Sequence, residues 1–243
     1  MKAFLLALQF LTRIPLRLRF APEPADCGRS ALAYPLVGLL IGLLLAALQR
    51  LVDHADPLLQ AALLTAAWAL VTGGLHLDGL ADSADAWVGG HGDRQRTLDI
   101  MKDPRSGPAG VSAIVLVLLL KFAALAALVK APAWQALLLA PLLGRSALIG
   151  LMLATPCARP GGMGATLAEH LPRRALTLML LAVAAGVSFA GVSGLAALLA
   201  AAAGWVVLRR MMLRRLGGMT GDTLGASVEL IEVAVLVVLA LRG

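Results

Sequence analysis

The amino-acid sequence predicts an all-α membrane protein: a polytopic integral helical bundle of about seven transmembrane helices with an N-terminal interfacial or re-entrant helix. Three observations predict this class. Hydrophobic residues make up 60% of the 243 residues and charged residues only 14%, a balance that soluble domains do not have. Apolar stretches recur with the length that crosses a bilayer. Basic residues are concentrated in alternate connecting loops, as in multi-pass membrane proteins.

Each predicted span is an apolar stretch of roughly the 20 residues that a transmembrane helix needs. Residues 175–208 are too long for one ordinary helix, and the segment GVSG at 191–194 predicts a break that divides them into two short spans. Another break, around Ala131 and Pro132, separates two neighbouring spans. The predicted spans are residues 31–51, 58–73, 109–130, 133–153, 225–241 and the two halves of 175–208.

The N-terminal segment MKAFLLALQFLTRIPLRLRF has an apolar run that is too short to span, followed by Arg13, Arg17 and Arg19. This pattern predicts a retained helix that lies in the membrane interface or dips into the bilayer and returns. In the first full span, Gly38 and Gly42 stand four residues apart and predict close packing against another helix.

The positions of the Lys and Arg residues predict the orientation of the chain. They lie almost entirely in the N-terminal segment and in the loops at 73–107, 154–174 and 209–222. The positive-inside rule therefore places these loops in the cytoplasm. Membrane orientation thus accounts for the basic residues and for the net charge of +7. We therefore expect the lipid bilayer, and no nucleic acid, as the partner. The chain is predicted to be one membrane-embedded domain, residues 1–243, with cytoplasmic active-site segments at 73–107 and 209–224.

The segment GGLHLDGLADSAD carries the strongest chemical signal in this apolar chain. Asp78, Asp82 and Asp85 are spaced i, i+4 and i+7, which places three carboxylates on one face of a helix. Like charges at this spacing repel, and such hard oxygen ligands suit Mg²⁺, especially beside substrate phosphates. We therefore predict a Mg²⁺ site here, with a solvated acidic helix face as the alternative.

Two further residues extend this predicted site. Gly74, four residues before Asp78, lets a phosphate or a neighbouring backbone come close to the metal ligands. His76 is a candidate general base, and the alternative is an ordinary hydrogen-bonding residue near a helix end.

A second acidic segment, GGMTGDTLGASVELIE, places Asp222, Glu229 and Glu232 on roughly one face of the last span. One interpretation is a second metal or phosphate centre that acts together with the first. In the other interpretation, the two glutamates pair with buried cations such as Lys121 or Arg145.

Cations near the predicted spans are candidates for binding a diphosphate. Lys121 and Arg145 fall within spans, where charge is costly and indicates a functional role by default, although Arg145 is close enough to a span end to snorkel. The stretch MKDPRSGPAG adds Asp103 and Arg105, and arginine is suited to bidentate phosphate contact. The backbone N–H of Gly107 is expected to join it.

Three pieces in this order, GGLHLDGLADSADAW, MKDPRSGPAGV and GGMTGDTLGASVELIE, resemble the cobalamin synthase family, the adenosylcobinamide-GDP ribazoletransferases. FLTRIP, YPLVG, Lys121 and Arg145 also match, so the resemblance covers essentially the whole chain. It implies a Mg²⁺-dependent enzyme of the bacterial inner membrane that acts in the last steps of vitamin B12 assembly. Such an enzyme joins α-ribazole or its 5′-phosphate to adenosylcobinamide-GDP, releases GMP and leaves adenosylcobalamin or its 5′-phosphate.

For such a phosphodiester exchange, residue type and placement suggest which side chains act on the diphosphate. The predicted catalytic residues are Asp82, Asp222, His76 and Lys121; the predicted metal ligands are Asp78, Asp82 and Asp85; the predicted substrate-binding residues are Gly74, Asp103, Arg105, Gly107, Arg145, Glu229 and Glu232.

Two other functions remain open from the sequence. CDP-alcohol phosphotransferases share the spacing GxxxDxxxD, but their DxxDGxxAR block is absent, since residues 78–82 read DGLAD and no Arg follows there. An ion-coupled transporter would use the intramembrane charges along a midplane path, whereas an enzyme predicts an acidic site facing the membrane surface. A homo-oligomer, or an association with other cobamide-assembly enzymes, is a further expectation.

Overall fold

The computed structural model describes residues 2–18, 20–129, 134–159 and 168–242, and this part of the chain is helical with no named β-strand. The all-α prediction is confirmed. The predicted break around residues 131–132 lies outside the described residues. The glycine-rich segment at 161–164, whose composition predicts a flexible loop, also lies outside them.

Eleven α-helices occupy the described residues. In chain order they are α1 Lys2–Leu11, α2 Pro24–Ser30, α3 Tyr34–Leu51, α4 Pro57–Thr72, α5 Leu75–Gly89, α6 Arg94–Ile100, α7 Pro108–Leu128, α8 Trp134–Ala154, α9 Arg173–Ser188, α10 Gly191–Leu216 and α11 Gly221–Ala240. A short 3₁₀ turn, Ala31–Ala33, joins α2 to α3.

Five helical segments of the described chain are long and apolar enough to cross a membrane: Pro24–Leu51, α7, α8, α10 and α11. A sixth candidate is the pair formed by α4 and α5, which is bent by 89°. The polytopic bundle is thus confirmed. The predicted division of residues 175–208 is also confirmed, but the break lies at residues 189–190, and the GVSG segment at 191–194 forms the first turn of α10. With 16 residues, α9 is about 24 Å long, so a seventh crossing stays a prediction.

Two predicted loops are largely helical. The loop at 73–107 contains α5 and α6, and α10 continues to Leu216 through the basic stretch that we assigned to the loop at 209–222. That assignment was wrong up to Leu216 because arginine and methionine favour helix, and a helix continues past its apolar part until a stop signal. Gly217 provides the stop, with the left-handed φ of 70° that ends many helices.

The centre of the bundle is formed by α8 and α11, which are the most buried of the candidate spans. Helix α3 packs on α8, while α5, α7 and α10 pack around α11. Gly38 and Gly42 of α3 lie directly against the backbone of α8, where a Cβ atom would collide with carbonyl oxygens. The close packing predicted from these two glycines is confirmed. Helix α11 belongs both to this core and to the candidate active site.

Candidate active site

A sharp bend between α4 and α5 positions the first acidic segment. Gly73 ends α4 with a φ of 65° and Gly74 begins α5 with a φ of 72°, left-handed conformations that glycine adopts without strain. Arg13 fixes the bend, since its N–H donates to the Val71 carbonyl at 2.7 Å and its side chain lies on Gly73. A side chain at Gly74 would meet nothing within 4 Å, which leaves the open space that its predicted role requires.

Two glycines bring α5 and α11 together. A Cβ atom at Gly79 of α5 would come within 2.7 Å of the carbonyl oxygen of Asp222. On the facing helix, Gly225 lies against His76 and Gly79. Such close backbone approach needs small residues, and here it holds the start of α11 beside the acidic face of α5.

The two acidic segments therefore meet at one place. The charges of Asp78, Asp85 and Asp222 all act on the half-buried carboxylate of Asp82, and that of Asp78 also acts on Asp222. Within the described residues, the side chains of Asp78 and Asp82 have no ion-pair or hydrogen-bond partner. Carboxylates that repel one another in this way are stabilised by a bound cation.

Asp85 has a different set of contacts from its two neighbours. Its Oδ2 accepts a hydrogen bond from the Gly107 N–H at 2.6 Å, and its Oδ1 accepts one from the Gly110 N–H at 2.9 Å. Asp85 thus binds two backbone donors at the start of α7, which helical geometry leaves free. This arrangement favours a structural role for Asp85, and it occupies the Gly107 N–H that we expected at a substrate phosphate.

The donor set at this place fits Mg²⁺ in its chemistry. Asp78, Asp82 and Asp222 supply hard carboxylate oxygens from two facing helices, the ligand type that Mg²⁺ prefers beside phosphates. In the part of the chain that the structure describes, no three His, Cys, Asp or Glu side chains are already arranged around one ion position.

Lys121 and Arg145 lie in a buried ion cluster with the two glutamates. Lys121 Nζ is 2.7 Å from Glu229 Oε2 and 2.5 Å from Glu232 Oε2, and Arg145 Nη1 pairs with Glu232 Oε1. These side chains are at most 3% exposed, and their formal charges cancel. The structure therefore favours the interpretation in which the glutamates pair with buried cations. The substrate and catalytic roles predicted for these four residues gain no support, because the cluster is closed to solvent.

His76 is placed with this cluster and away from solvent. Its side chain is 2% exposed, and neither imidazole nitrogen has a hydrogen-bond partner among the described residues. The charges that act on it are those of Arg145 and Lys121. The predicted role of general base gains no support from this position, since a base must reach the proton it removes.

Asp103 and Arg105 pair with each other at the surface. Arg105 Nε donates to Asp103 Oδ1 at 2.9 Å and Nη2 donates to Oδ2 at 2.7 Å. The guanidinium lowers the pKa of the Asp103 carboxyl to about 2. The planar fork that we expected at a substrate phosphate is therefore engaged by Asp103, and the Arg105 side chain is otherwise exposed.

Arg159 is the cation that sequence reasoning missed at the acidic site. Its Nη1 lies 3.8 Å from Asp222 Oδ2, and its Nη2 donates to the Leu98 carbonyl at 2.6 Å. The side chain is about one-quarter exposed, at 26%. The only sequence signal was its place in the predicted cytoplasmic basic loop at 154–174, which Arg159 shares with two other arginines.

Backbone contacts explain how Arg159 reaches the site. Ala158 N–H donates to the Met219 carbonyl and Met219 N–H donates to the Pro156 carbonyl, both at 2.8 Å. Arg94 of α6 donates to the carbonyls of Leu216 and Ala158 at 2.7 and 3.0 Å. The segment after α8 is thus joined to the loop before α11, which brings Arg159 next to Asp222.

Comparisons with known proteins identify the family. The sequence model of the cobalamin-5-phosphate synthases matches residues 3–240. The chain belongs to the cobalamin-5-phosphate synthase family. The adenosylcobinamide-GDP ribazoletransferase of Pseudomonas paraeruginosa is 60% identical over 242 residues, which cover 99% of this chain and 98% of that protein. The protein of the same name from Pseudomonas syringae pv. syringae is 57% identical over 99% of this chain and 100% of its own.

A relative outside the genus Pseudomonas gives the same picture. The adenosylcobinamide-GDP ribazoletransferase of Stutzerimonas stutzeri is 56% identical, covering 100% of this chain and 99% of its own. No solved structure matches the chain. Membership in the cobalamin-5-phosphate synthase family therefore extends over both acidic segments, and the resemblance seen in the sequence is confirmed.

Proposed function

We propose that this cobalamin-5-phosphate synthase family member is an adenosylcobinamide-GDP ribazoletransferase that transfers α-ribazole or its 5′-phosphate. Its relatives carry that name over their whole length. The observation that carries the proposal is the meeting of Asp78 and Asp82 with Asp222 and Arg159. Carboxylates that need a cation, beside an arginine, suit a diphosphate bound together with Mg²⁺.

In the proposed reaction, a hydroxyl oxygen of the ribazole acceptor attacks the phosphorus on the cobinamide side of the diphosphate. A new P–O bond forms while the bond from that phosphorus to the bridging oxygen breaks. GMP leaves with the bridging oxygen, and the proton of the acceptor hydroxyl passes to solvent water. The product is adenosylcobalamin or its 5′-phosphate, and no atom is oxidised or reduced.

The residues of the site divide this work. Asp78, Asp82 and Asp222 would hold Mg²⁺, which when bound neutralises the charge of the diphosphate and of the leaving group. Arg159 contacts a phosphoryl oxygen, because its guanidinium already lies at the site and offers a planar set of donors. Asp222 also orients the attacking hydroxyl, and the space beside Gly74 admits the diphosphate.

The buried ion cluster supports this site from a distance. Lys121 of α7 and Arg145 of α8 both bind glutamates of α11. Asp222 is the second residue of α11. The cluster therefore fixes the helix that carries one of the three carboxylates. In this proposal the four charged residues position the site and do not touch the substrate.

The proposed location is the bacterial inner membrane, with the active site on its cytoplasmic face. The arginine-rich end of α10 lies beside the acidic helix, since Arg215 donates to the Trp87 carbonyl at 2.8 Å and to Thr97 Oγ1 at 3.0 Å. The positive-inside rule assigns such an arginine-rich end to the cytoplasm. A homo-oligomer or an association with other cobamide-assembly enzymes stays a prediction.

Release of GMP tests the proposed function. Purified protein with Mg²⁺, α-ribazole and adenosylcobinamide-GDP is expected to release GMP, and removal of Mg²⁺ by a chelator is expected to stop it. Asp82→Asn is expected to lose turnover while keeping the wild-type Tm. Asp99→Asn, an exposed carboxylate of α6, is the matched control and should retain turnover. Wild-type protein that binds both substrates without releasing GMP would overturn the proposal.

A further inference from the structure

An apolar cleft of about 450 Å³ lies between α5, α7, α10 and α11, and none of the predicted site residues lines it. Leu80 and Trp87 of α5, Leu116 of α7, Met211 of α10 and Leu230 of α11 form much of its wall. On α5, Leu80 and Trp87 project to the side opposite the aspartates, because the helix turns about 100° per residue. The cleft is therefore separate from the acidic site.

The walls of this cleft continue onto the lipid-facing surface of the bundle. Leu116 is 61% exposed and Met211 is 43% exposed, and they belong to two helices that are candidate membrane spans. An apolar surface of this kind is unfavourable in water. Between two spanning helices, the surrounding solvent is lipid acyl chains, which are as apolar as the leucines themselves.

One polar group in the cleft lacks a partner. Ser83 lines the cleft and is 8% exposed, and its Oγ has no hydrogen-bond partner among the described residues. A buried hydroxyl without a partner is destabilising. The ester carbonyl at the top of an acyl chain is an acceptor that such a hydroxyl can satisfy.

Arginines at the end of α10 lie next to the cleft. Arg215 joins this end to the Trp87 carbonyl at the cleft wall, and Arg214 stands three residues after Met211 on the same side of α10. Arg214 is exposed and has no ion-pair or hydrogen-bond partner among the described residues. Unpaired basic residues at the end of a spanning helix attract anionic lipid headgroups.

We infer that the cleft binds one acyl chain of an anionic phospholipid whose headgroup phosphate contacts Arg214. The apolar walls hold the chain, the Ser83 hydroxyl donates to an ester carbonyl, and Arg214 selects the charged headgroup. This is a lipid site distinct from the diphosphate site.

Native mass spectrometry of delipidated protein, titrated with phosphatidylglycerol or with phosphatidylcholine, tests the inference. Arg214→Gln is expected to weaken phosphatidylglycerol binding about fivefold and phosphatidylcholine binding less, because the choline cation offsets the charge of the phosphate. Arg174→Gln, an exposed arginine at the start of α9, is the matched control and should change neither. Equal effects of Arg214→Gln and Arg174→Gln would overturn the role of the headgroup.

Filling the cleft tests the acyl chain. Ala113→Phe places a large side chain in the cleft and is expected to remove bound lipid of both kinds. Ala202→Phe, at an exposed position of α10, is its control and should not. Retained lipid in Ala113→Phe would overturn the inference. If Ala113→Phe retains lipid but dissociates a dimer of the protein, the cleft binds a second copy of the chain. If it retains lipid but has a raised KM for α-ribazole, the cleft binds the acceptor. If Ala113→Phe does not fold, Arg214→Gln still tests the inference, because Arg214 is exposed and its replacement does not disturb the core.

Discussion

Lys121 of α7 and Glu232 of α11 form a buried ion pair with 2.5 Å between Nζ and Oε2. The same carboxylate also pairs with Arg145 of α8, so a single side chain joins three helices of the bundle. Lys121 additionally lies over the Trp68 ring, 4.5 Å from its centroid. The charged residues for which the sequence suggested substrate binding thus join the helices α7, α8 and α11 to one another.

Removal of the Lys121 charge is expected to destabilise the protein. Lys121→Met leaves Glu229 and Glu232 without this partner, and an uncompensated buried charge costs about 3–5 kcal/mol. The measurement is a fall in Tm of the protein in detergent, with Lys121→Met/Glu229→Gln recovering part of it. Lys102→Met, at an exposed position, is the control. Loss of GMP release at an unchanged Tm would contradict the structural role.

Replacement of Asp85 is expected to lower stability without changing the Mg²⁺ requirement. Asp85→Ala removes the acceptor for the Gly107 and Gly110 N–H groups, and the loss of such a helix cap costs about 1–2 kcal/mol. Asp85→Asn retains a side-chain oxygen acceptor and is expected to lose less. Thermal unfolding and the Mg²⁺ dependence of GMP release check this together. A raised Mg²⁺ requirement at wild-type Tm would make Asp85 a metal ligand after all.

Gly79→Ala is expected to push α5 away from α11. The added methyl group meets the Asp222 carbonyl at 2.7 Å, a contact that forces one of the two helices to move. Both Tm and turnover should fall. Gly186→Ala in α9 is the matched control, since a Cβ atom there meets nothing within 4 Å, and it should stabilise by about 0.5–1 kcal/mol. Equal behaviour of the two variants would show that the close helix contact is unimportant.

Arg159→Ala is expected to raise the KM for adenosylcobinamide-GDP by roughly tenfold or more, since a hydrogen bond to a charged group contributes about 1.5–3 kcal/mol. Arg159→Lys should restore only part of the affinity, because lysine lacks the planar fork. Arg96→Ala, an exposed residue of α6, is the control. Steady-state kinetics with each substrate varied in turn make the measurement. A KM that rises only for α-ribazole would place Arg159 at the acceptor.

The membrane fold was predictable because its signals are local. Apolar length determines which segments span, and the glycine-containing segment at 191–194 directly follows the break between α9 and α10. The helical part of the 209–222 loop was missed for a related reason: a helix that leaves the apolar layer keeps its backbone hydrogen bonds, and composition shows no boundary before Gly217. Gly73 and Gly74 show a break, but the bend of 89° depends on Arg13 and the packing around it.

By itself, the sequence determined the membrane class, the spacing that places Asp78 and Asp82 on one helix face, and the presence of a second acidic segment at Asp222. Only the tertiary structure decided how the charges are paired. It enclosed Lys121 with the glutamates, joined Asp85 to the start of α7 and brought Arg159 to Asp222. The physical reason is that helix periodicity fixes which residues share a face, whereas the partner of a charge depends on which helices pack side by side.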